Sequence, residues 1–105
     1  MNVPVQRDGE TFTVTLLEPR LDALCAAGFR HVLQECVAQG GRRLVVDLSA
    51  TSFIDSSGLG ALVSALRKLS GPGSLVLRGV TPPVERALRL ARLDRVLVVE
   101  PGARA

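Results

Sequence analysis

Aromatic residues and metal ligands are scarce in this sequence. Its 105 residues include no Trp, no Tyr and only three Phe, so they offer no platform on which nucleic-acid bases could stack. The single histidine, His31, is accompanied by two cysteines and no Cys-x-x-Cys pair, which are too few ligands for a tetrahedral zinc site. We therefore expect no metal ion, no cofactor and no direct contact with nucleic acid.

Long hydrophobic runs are also missing. The longest apolar stretches are interrupted by Asp47, Arg67 or Glu100 well before the ~20 residues that a membrane-spanning helix needs. The first seven residues lack a charged start followed by an apolar run, so no secretory signal is visible. We expect no membrane partner and a cytoplasmic location.

The composition is that of one globular domain. The sequence is 47% hydrophobic and 22% charged, which suits a chain that folds and buries a single core. We expect this domain to span residues 1–100 and to be followed by a flexible tail at 101–105.

Positive charge is carried almost entirely by arginine. Twelve arginines and one lysine face ten acids, which gives a formal net charge of +3. Most arginines are scattered, but Arg86, Arg89, Arg92 and Arg95 recur every third residue near the end of the chain. Such a stripe usually forms a solvated face of a helix, and we favour that interpretation over phosphate or partner binding.

A first helix is predicted from Asp22 to Gln39. Apolar residues recur there at three- and four-residue spacing and define one buried face, with His31 pointing to solvent. Cys25 and Cys36 share this helix but lie roughly 16 Å apart along its axis. They cannot form a disulfide with each other.

Strands alternate with helices along the rest of the chain. Residues 3–7 and 11–17 are predicted to form a hairpin around Asp8-Gly9. Runs rich in β-branched residues, typical of buried parallel strands, occupy 44–48, 74–78 and 96–99, and further helices begin near Ser57 and at Pro82-Pro83. This order predicts an α/β fold with a mostly parallel sheet of four or five strands, an N-terminal hairpin and three to four crossover helices.

The segment Asp55-Ser56-Ser57-Gly58 lies where a predicted strand ends and a helix begins. Gly58 and Gly60 each sacrifice up to ~1 kcal/mol of helix propensity relative to alanine, which indicates tight packing or the close approach of another molecule. One interpretation is that Asp55, Ser56 or Ser57 caps the helix. The other is that a serine at the positive end of the helix dipole accepts a phosphate.

Small residues mark the predicted outer face of this helix. The large apolar residues, which we expect to be buried, are Leu59, Leu62, Val63, Leu66 and Leu69. Gly60, Ala61, Ser64 and Lys68 would then face outward. A small, nearly uncharged surface allows a partner to come close, although it is equally typical of an indifferent helix surface.

The stretches 44–48 (Leu-Val-Val-Asp-Leu) and 53–60 (Phe-Ile-Asp-Ser-Ser-Gly-Leu-Gly) resemble the STAS domain of anti-sigma-factor antagonists. Leu21-Asp22 resembles the family's Gly-x-Leu-Asp element, and residues 90–97 resemble its closing helix-to-strand segment. The resemblance implies that Ser56, with Ser57 as the fallback, is phosphorylated by a partner that is both anti-sigma factor and serine kinase. The partner-binding residues that it implies or that the helix face adds are Asp22, Asp55, Ser56, Ser57, Gly58, Gly60, Ala61 and Ser64.

The function implied by the resemblance is a switch. The unphosphorylated protein, a monomer, would bind its anti-sigma factor, phosphorylation would release it, and a PP2C-type serine phosphatase would reset it. Pro19-Arg20 departs from the family's glycine before Leu-Asp, which affects partner preference, and Arg92 stands where many relatives have glycine.

Two other classes of function stay in view. One is a non-switching STAS module that serves as a scaffold or as an accessory subunit of a transporter. The other is an enzyme with Ser56 as nucleophile. We expect no enzyme, because His31 is predicted to face solvent and no Gly-x-Ser-x-Gly elbow is present.

Overall fold

The computed structural model describes residues 3–71 and 74–102. These residues form seven strands: β1 (Val5–Asp8), β2 (Thr11–Thr15), β3 (Arg20–Leu21), β4 (Arg43–Asp47), β5 (Phe53–Ile54), β6 (Leu75–Val80) and β7 (Val98–Pro101). Five of them make the main sheet, in the order β1-β2-β4-β6-β7, and β3 pairs with β5. Strands β1 and β2 form the predicted antiparallel hairpin, and every other neighbouring pair in the main sheet is parallel.

Helices connect the parallel strands. They are α1 (Ala26–Ala38), α2 (Ser56–Lys68), α3 (Pro82–Leu90) and a single 3-10 turn, η1 (Leu93–Arg95). Helix α3 begins with Pro82 and Pro83, whose fixed backbone angle suits the first turn. The predicted α/β fold with a mostly parallel sheet and an N-terminal hairpin is confirmed.

The core lies between the sheet and the helices. Strands β4 and β6 carry runs of buried residues rather than an alternating pattern, because both of their faces are covered. Helix α1 contributes Phe29, Leu33 and Cys36 from the face predicted for it, and His31 is exposed as expected. Helix α2 contributes Leu62, while Leu59, Leu66 and Leu69 pack against the core with partial exposure.

Two predicted elements differ from the structure. Helix α1 begins at Ala26 rather than Asp22, because residues 22–25 form a turn in which the Cys25 amide donates to the Asp22 carbonyl at 3.0 Å. Strand β7 was expected to be buried, yet it is an edge strand with exposed residues, and it starts only after η1 has taken residues 93–95.

Residues 101 and 102, which were expected to begin a flexible tail, are held against the sheet. Pro101 belongs to β7, and the Gly102 amide donates to the Val80 carbonyl at 2.9 Å. Residues 103–105 of the predicted tail lie outside the described residues, so the domain boundary stays a prediction.

The short β3–β5 pair holds the start of helix α2 in place. Leu21 of β3 pairs with Ile54 of β5, and the Asp55 amide donates to the Leu21 carbonyl at 3.2 Å. Behind it, the fully buried Thr51 donates its hydroxyl to the Glu18 carbonyl at 2.8 Å. These bonds join the loop before α1 to the loop before α2, so both loops present their side chains at one end of the sheet.

Candidate functional site

Asp55 is the cap of helix α2. Its backbone is extended, and its carboxylate Oδ1 accepts a hydrogen bond from the Gly58 amide at 3.0 Å. This is the geometry of an N-cap, which satisfies one of the donors that a helix leaves free in its first turn. Of the three candidate caps, the structure therefore assigns the role to Asp55, and it leaves Ser56 and Ser57 without it.

Ser56 and Ser57 occupy the first two positions of helix α2 and are both exposed. Within the described residues neither hydroxyl takes part in a hydrogen bond. The first turn carries no acidic residue, and the basic Arg67 and Lys68 lie in the last turn. The two hydroxyls therefore sit at the positive end of the helix dipole, where an added anion is favourable.

The two glycines of this turn have different environments. A Cβ on Gly58 would collide with the Leu21 carbonyl oxygen and would lie 2.7 Å from Ile54 Cγ1, whereas a Cβ on Gly60 would meet nothing within 4 Å. Gly58 is thus required by the packing of α2 on the β3–β5 pair, not by a second molecule. Gly60 is exposed and leaves open space beside the serines.

The outer face predicted for helix α2 is partly wrong. Ala61 is only 2% exposed and packs in the core cluster, while Ser64 is half-buried and its hydroxyl accepts a hydrogen bond from Gln34 Nε2 of α1 at 3.4 Å. The small residues face α1 because two helices can lie close together only where their side chains are small. Gly60 is the member of this set that remains exposed near the serines.

Asp22 organises the loop that leads into helix α1. Its carboxylate accepts a bond from Arg20 Nε at 3.2 Å and another from the Leu24 amide at 3.1 Å. Arg20 in turn stacks over the ring of Phe53, with 4.0 Å between the guanidinium carbon and the ring centroid. The half-buried Asp22 therefore shapes this loop, which is joined through Leu21 to the cap of α2.

Leu24 and Arg30 are surface residues that the sequence did not assign to the site. Leu24 is 96% exposed at the tip of the Asp22 loop. The sequence could have indicated this exposure, because Leu24 does not belong to the apolar face predicted for the first helix. Arg30 lines an open groove of about 340 Å³ between α1 and α2 together with Ser57, Gly60 and small residues (Ala23, Ala26, Ala27 and Ala61). The starts of α1 and α2 lie side by side in this groove, so the two helices run parallel.

The only histidine is not placed to act on the serines. His31 lines a different groove beside Lys68, the last residue of α2, which lies ~18 Å along the helix from Ser56 at 1.5 Å per residue. Among the described residues, no three His, Cys, Asp or Glu side chains come together as a metal site would require. Across residues 3–71 and 74–102, no helix combines the length and apolar character needed to cross a membrane.

The sequence and the fold match known proteins over almost the whole chain. The family model described as "Mlab, STAS domain" matches residues 3–100. This chain belongs to the STAS-domain family. Among solved structures, an anti-sigma factor antagonist from Mycobacterium paratuberculosis is 28% identical with a TM-score of 0.80, covering 97% of this chain and 86% of that one.

Two further structures share the fold at lower identity. The Bacillus cell fate determinant SpoIIAA in its phosphorylated form is 20% identical with a TM-score of 0.70, covering 93% of this chain and 90% of its own. The murine anion transporter Slc26a9 is 22% identical with a TM-score of 0.68, covering 92% of this chain but 17% of the transporter. The same fold therefore occurs both as a small antagonist and as one part of a transporter.

Proposed function

We propose that this chain is an anti-sigma-factor antagonist that binds an anti-sigma factor with serine kinase activity and is released when Ser56 is phosphorylated. A PP2C-type phosphatase restores the binding form, and the protein acts as a monomer in the cytoplasm. The observation that carries the proposal is the exposed hydroxyl of Ser56 in the first turn of α2, which forms no hydrogen bond within the described residues and lies next to a cap made by Asp55. The likeness to antagonists of the STAS family supports it.

A phosphate at this position changes binding far more than folding. It adds about −1.5 to −2 charges, which an exposed helix N-terminus stabilises by only ~0.3–1 kcal/mol. A partner that covers Ser56 would bury this charge without a counterion, at a cost of about 3–5 kcal/mol. Because ~1.4 kcal/mol corresponds to a factor of ten, affinity falls by roughly a hundredfold to a few thousandfold.

The proposed binding surface surrounds Ser56. Ser57, Gly60 and Leu24 are exposed to the partner, and Asp22 and Asp55 hold the two loops in shape. Gly58, Ala61 and Ser64 support this surface from beneath or beside it rather than forming its outermost part. Leu24 supplies the exposed apolar contact that the serine-bearing turn itself lacks.

The first experiment is intact-mass spectrometry with site mapping on protein recovered from growing and from stressed native cells. One phosphate that depends on the condition and maps to Ser56 supports the switch. A phosphate on Ser57 instead moves the switch to the fallback residue, and no phosphate under any condition contradicts it.

Binding of matched variants to the cognate anti-sigma factor tests the mechanism. We expect Ser56→Ala to bind constitutively and Ser56→Asp to bind weakly, while Ser57→Ala and Ser57→Asp serve as the neighbouring controls. Equal binding of the Ser56 variants contradicts release by charge.

The second candidate is a non-switching STAS module that serves as a scaffold or as an accessory subunit of a transporter. The shared fold of one part of the anion transporter Slc26a9 favours it. It requires no modification at Ser56, so it predicts an unphosphorylated protein whose Ser56 variants bind their partner equally. Neighbouring genes for a transporter rather than for an ATP-binding serine kinase would support it.

The proposal gives Ser56 no catalytic role. His31 lies toward the other end of α2, too far from the Ser56 hydroxyl to act as its base. Incubation with a serine-directed fluorophosphonate tests this point, and we expect no labelling. Labelling that disappears in Ser56→Ala would identify a nucleophile and contradict the proposal.

A further inference from the structure

Four of the twelve arginines lie close together in one segment near the end of the chain. Arg86, Arg89, Arg92 and Arg95 lie within residues 82–101, together with three acids, Glu85, Asp94 and Glu100. The segment runs from α3 through η1 into β7, and these three elements contact one another.

Apolar side chains are exposed among these arginines. Leu90 is 80% exposed and Val96 is 54% exposed, and Val98 is exposed on the edge strand. We call the exposed set formed by Arg89, Leu90, Arg92, Arg95, Val96 and Val98 the arginine patch. Within the described residues its arginines form no ion pair, since the ion pairs there involve Arg20, Arg42 and Arg78. Among the described residues, the patch thus combines arginines that form no ion pair with uncovered apolar surface.

Arg92 adopts a backbone conformation that disfavours most side chains. Its φ of 60° and ψ of 22° are left-handed, and it follows Ala91, the C-cap of helix α3. Glycine is the usual residue at this position because it lacks the Cβ that makes the conformation costly. In this chain an arginine of the patch occupies this costly position.

Strand β7 adds an open edge to the patch. Among the described residues it pairs with β6 alone, so the backbone donors and acceptors along its other side have no strand partner. An exposed edge of this kind accepts an extended segment of another protein, whose main chain adds one strand to the sheet. Val98 belongs to this edge strand, and Arg95 and Val96 precede it directly in the chain.

We propose that the arginine patch docks an extended, acidic segment of a partner protein as an additional strand beside β7. Carboxylates of the segment pair with Arg89, Arg92 and Arg95, and its alternate apolar side chains cover Val96 and Val98. This function goes beyond the proposed phosphoswitch, because none of these residues belongs to the surface around Ser56.

The features of the patch favour a protein strand over other anionic partners. An open backbone edge is costly in lipid hydrocarbon, where its polar groups find no water. The patch has no aromatic residue on which a base could stack, and the described phenylalanines lie elsewhere in the chain. An acidic strand satisfies the charge, the apolar side chains and the open edge together.

The test uses a short fluorescein-labelled peptide of alternating Glu and Val, titrated with the whole chain at low ionic strength and followed by anisotropy. We expect saturable binding that weakens about fivefold or more in Arg89→Gln/Arg95→Gln, since each exposed ion pair contributes modestly. The matched control is Arg43→Gln/Arg67→Gln, which removes the same charge from exposed arginines elsewhere and should change affinity less than about twofold.

Backbone pairing is tested separately. A version of the peptide that is N-methylated at alternate residues keeps its charge but cannot pair as a strand, and we expect it to bind at least about fivefold more weakly. Amide chemical shifts in ¹⁵N spectra should move for residues 96–100 when the unmodified peptide binds. No saturable binding, equal losses in the two double variants, or a preference for phosphatidylserine vesicles or single-stranded DNA over the peptide would each overturn the proposal.

Discussion

Gly58 and Gly60 lie two positions apart in helix α2 and predict opposite effects of the same substitution. Because a Cβ at Gly58 meets the Leu21 carbonyl and Ile54, we expect Gly58→Ala to lower the free energy of unfolding by ~1–3 kcal/mol. Gly60→Ala has open space and gains helix propensity, so it should raise stability by up to ~1 kcal/mol. Urea unfolding of both variants measures the difference. Equal effects would contradict the packing of α2 on the β3–β5 pair.

The Asp55 cap gives a second prediction at the scale of one residue. Asp55→Ala removes the acceptor of the Gly58 amide, and we expect the free energy of unfolding to fall by ~0.5–2 kcal/mol. Asp55→Asn keeps an acceptor in the same place and should stay within a few tenths of a kcal/mol of the original protein. A large loss in the Asn variant would show that the carboxylate charge, rather than the hydrogen bond, stabilises the helix.

At the scale of single residues, the sequence located the start of helix α2 but not the side chain that caps it. The segment Asp55-Ser56-Ser57-Gly58 was placed at the start of a helix, yet three side chains were equally suited to cap it. The choice depends on which residue has extended backbone angles, and that is set by the bond from Asp55 to Leu21 in a distant strand. Ala61 was expected outside because periodicity follows large apolar residues, whereas close packing of two helices buries small ones.

At the scale of elements, the residue after the C-cap of helix α3 has a backbone conformation that lowers the free energy of unfolding. Arg92 is left-handed, so Arg92→Gly should relieve that cost and raise the free energy of unfolding by about 0.5–1 kcal/mol despite the added freedom of the unfolded chain. Arg89→Gly is the control, since Arg89 lies within the last turn of α3 and loses up to ~1 kcal/mol of helix propensity. Chemical denaturation of both variants tests the pair, and destabilisation by Arg92→Gly would contradict the left-handed assignment.

The elements that the sequence missed are those whose formation depends on partners far along the chain. Strands β3 and β5 contain two residues each and have too few positions for a periodic pattern, but each completes the other. The start of helix α1 was placed too early because Leu21 and Cys25 fit the apolar spacing, although Leu21 is buried as part of β3. The main strands and α3 were predicted correctly because their signals, β-branched runs and a Pro-Pro start, depend only on residues that are neighbours in the sequence.

For the whole molecule, one buried thiol predicts how stability changes at alkaline pH. Burial, reinforced by the negative charge of Glu35, raises the pKa of Cys36 above its ordinary value of 9.0. The thiol therefore loses its proton at a lower pH in the unfolded chain than in the folded one. Its contribution to the free energy of unfolding is complete below pH 9.0 and is lost as the pH rises through the folded pKa. Urea midpoints measured under reducing conditions should fall more steeply in this range for the original protein than for Cys36→Ala. Parallel curves would contradict the coupling, and the absence of Tyr simplifies the comparison.

Whether a negative charge can switch binding without unfolding the protein depends on where in the fold it is placed. At Ser56 the side chain is exposed at the start of α2, so Ser56→Asp should leave stability unchanged or raise it by ~0.3–1 kcal/mol through the helix dipole. At Ser64, a serine of the same helix, the hydroxyl faces Gln34 between α1 and α2, and Ser64→Asp should cost more than ~1 kcal/mol because the carboxylate is partly buried. Unfolding curves of the two variants measure this difference directly. If Ser56→Asp destabilised the chain as much as Ser64→Asp, weaker partner binding by the mimic would reflect damage to the fold, and the separation of binding from folding that a phosphoswitch requires would be lost.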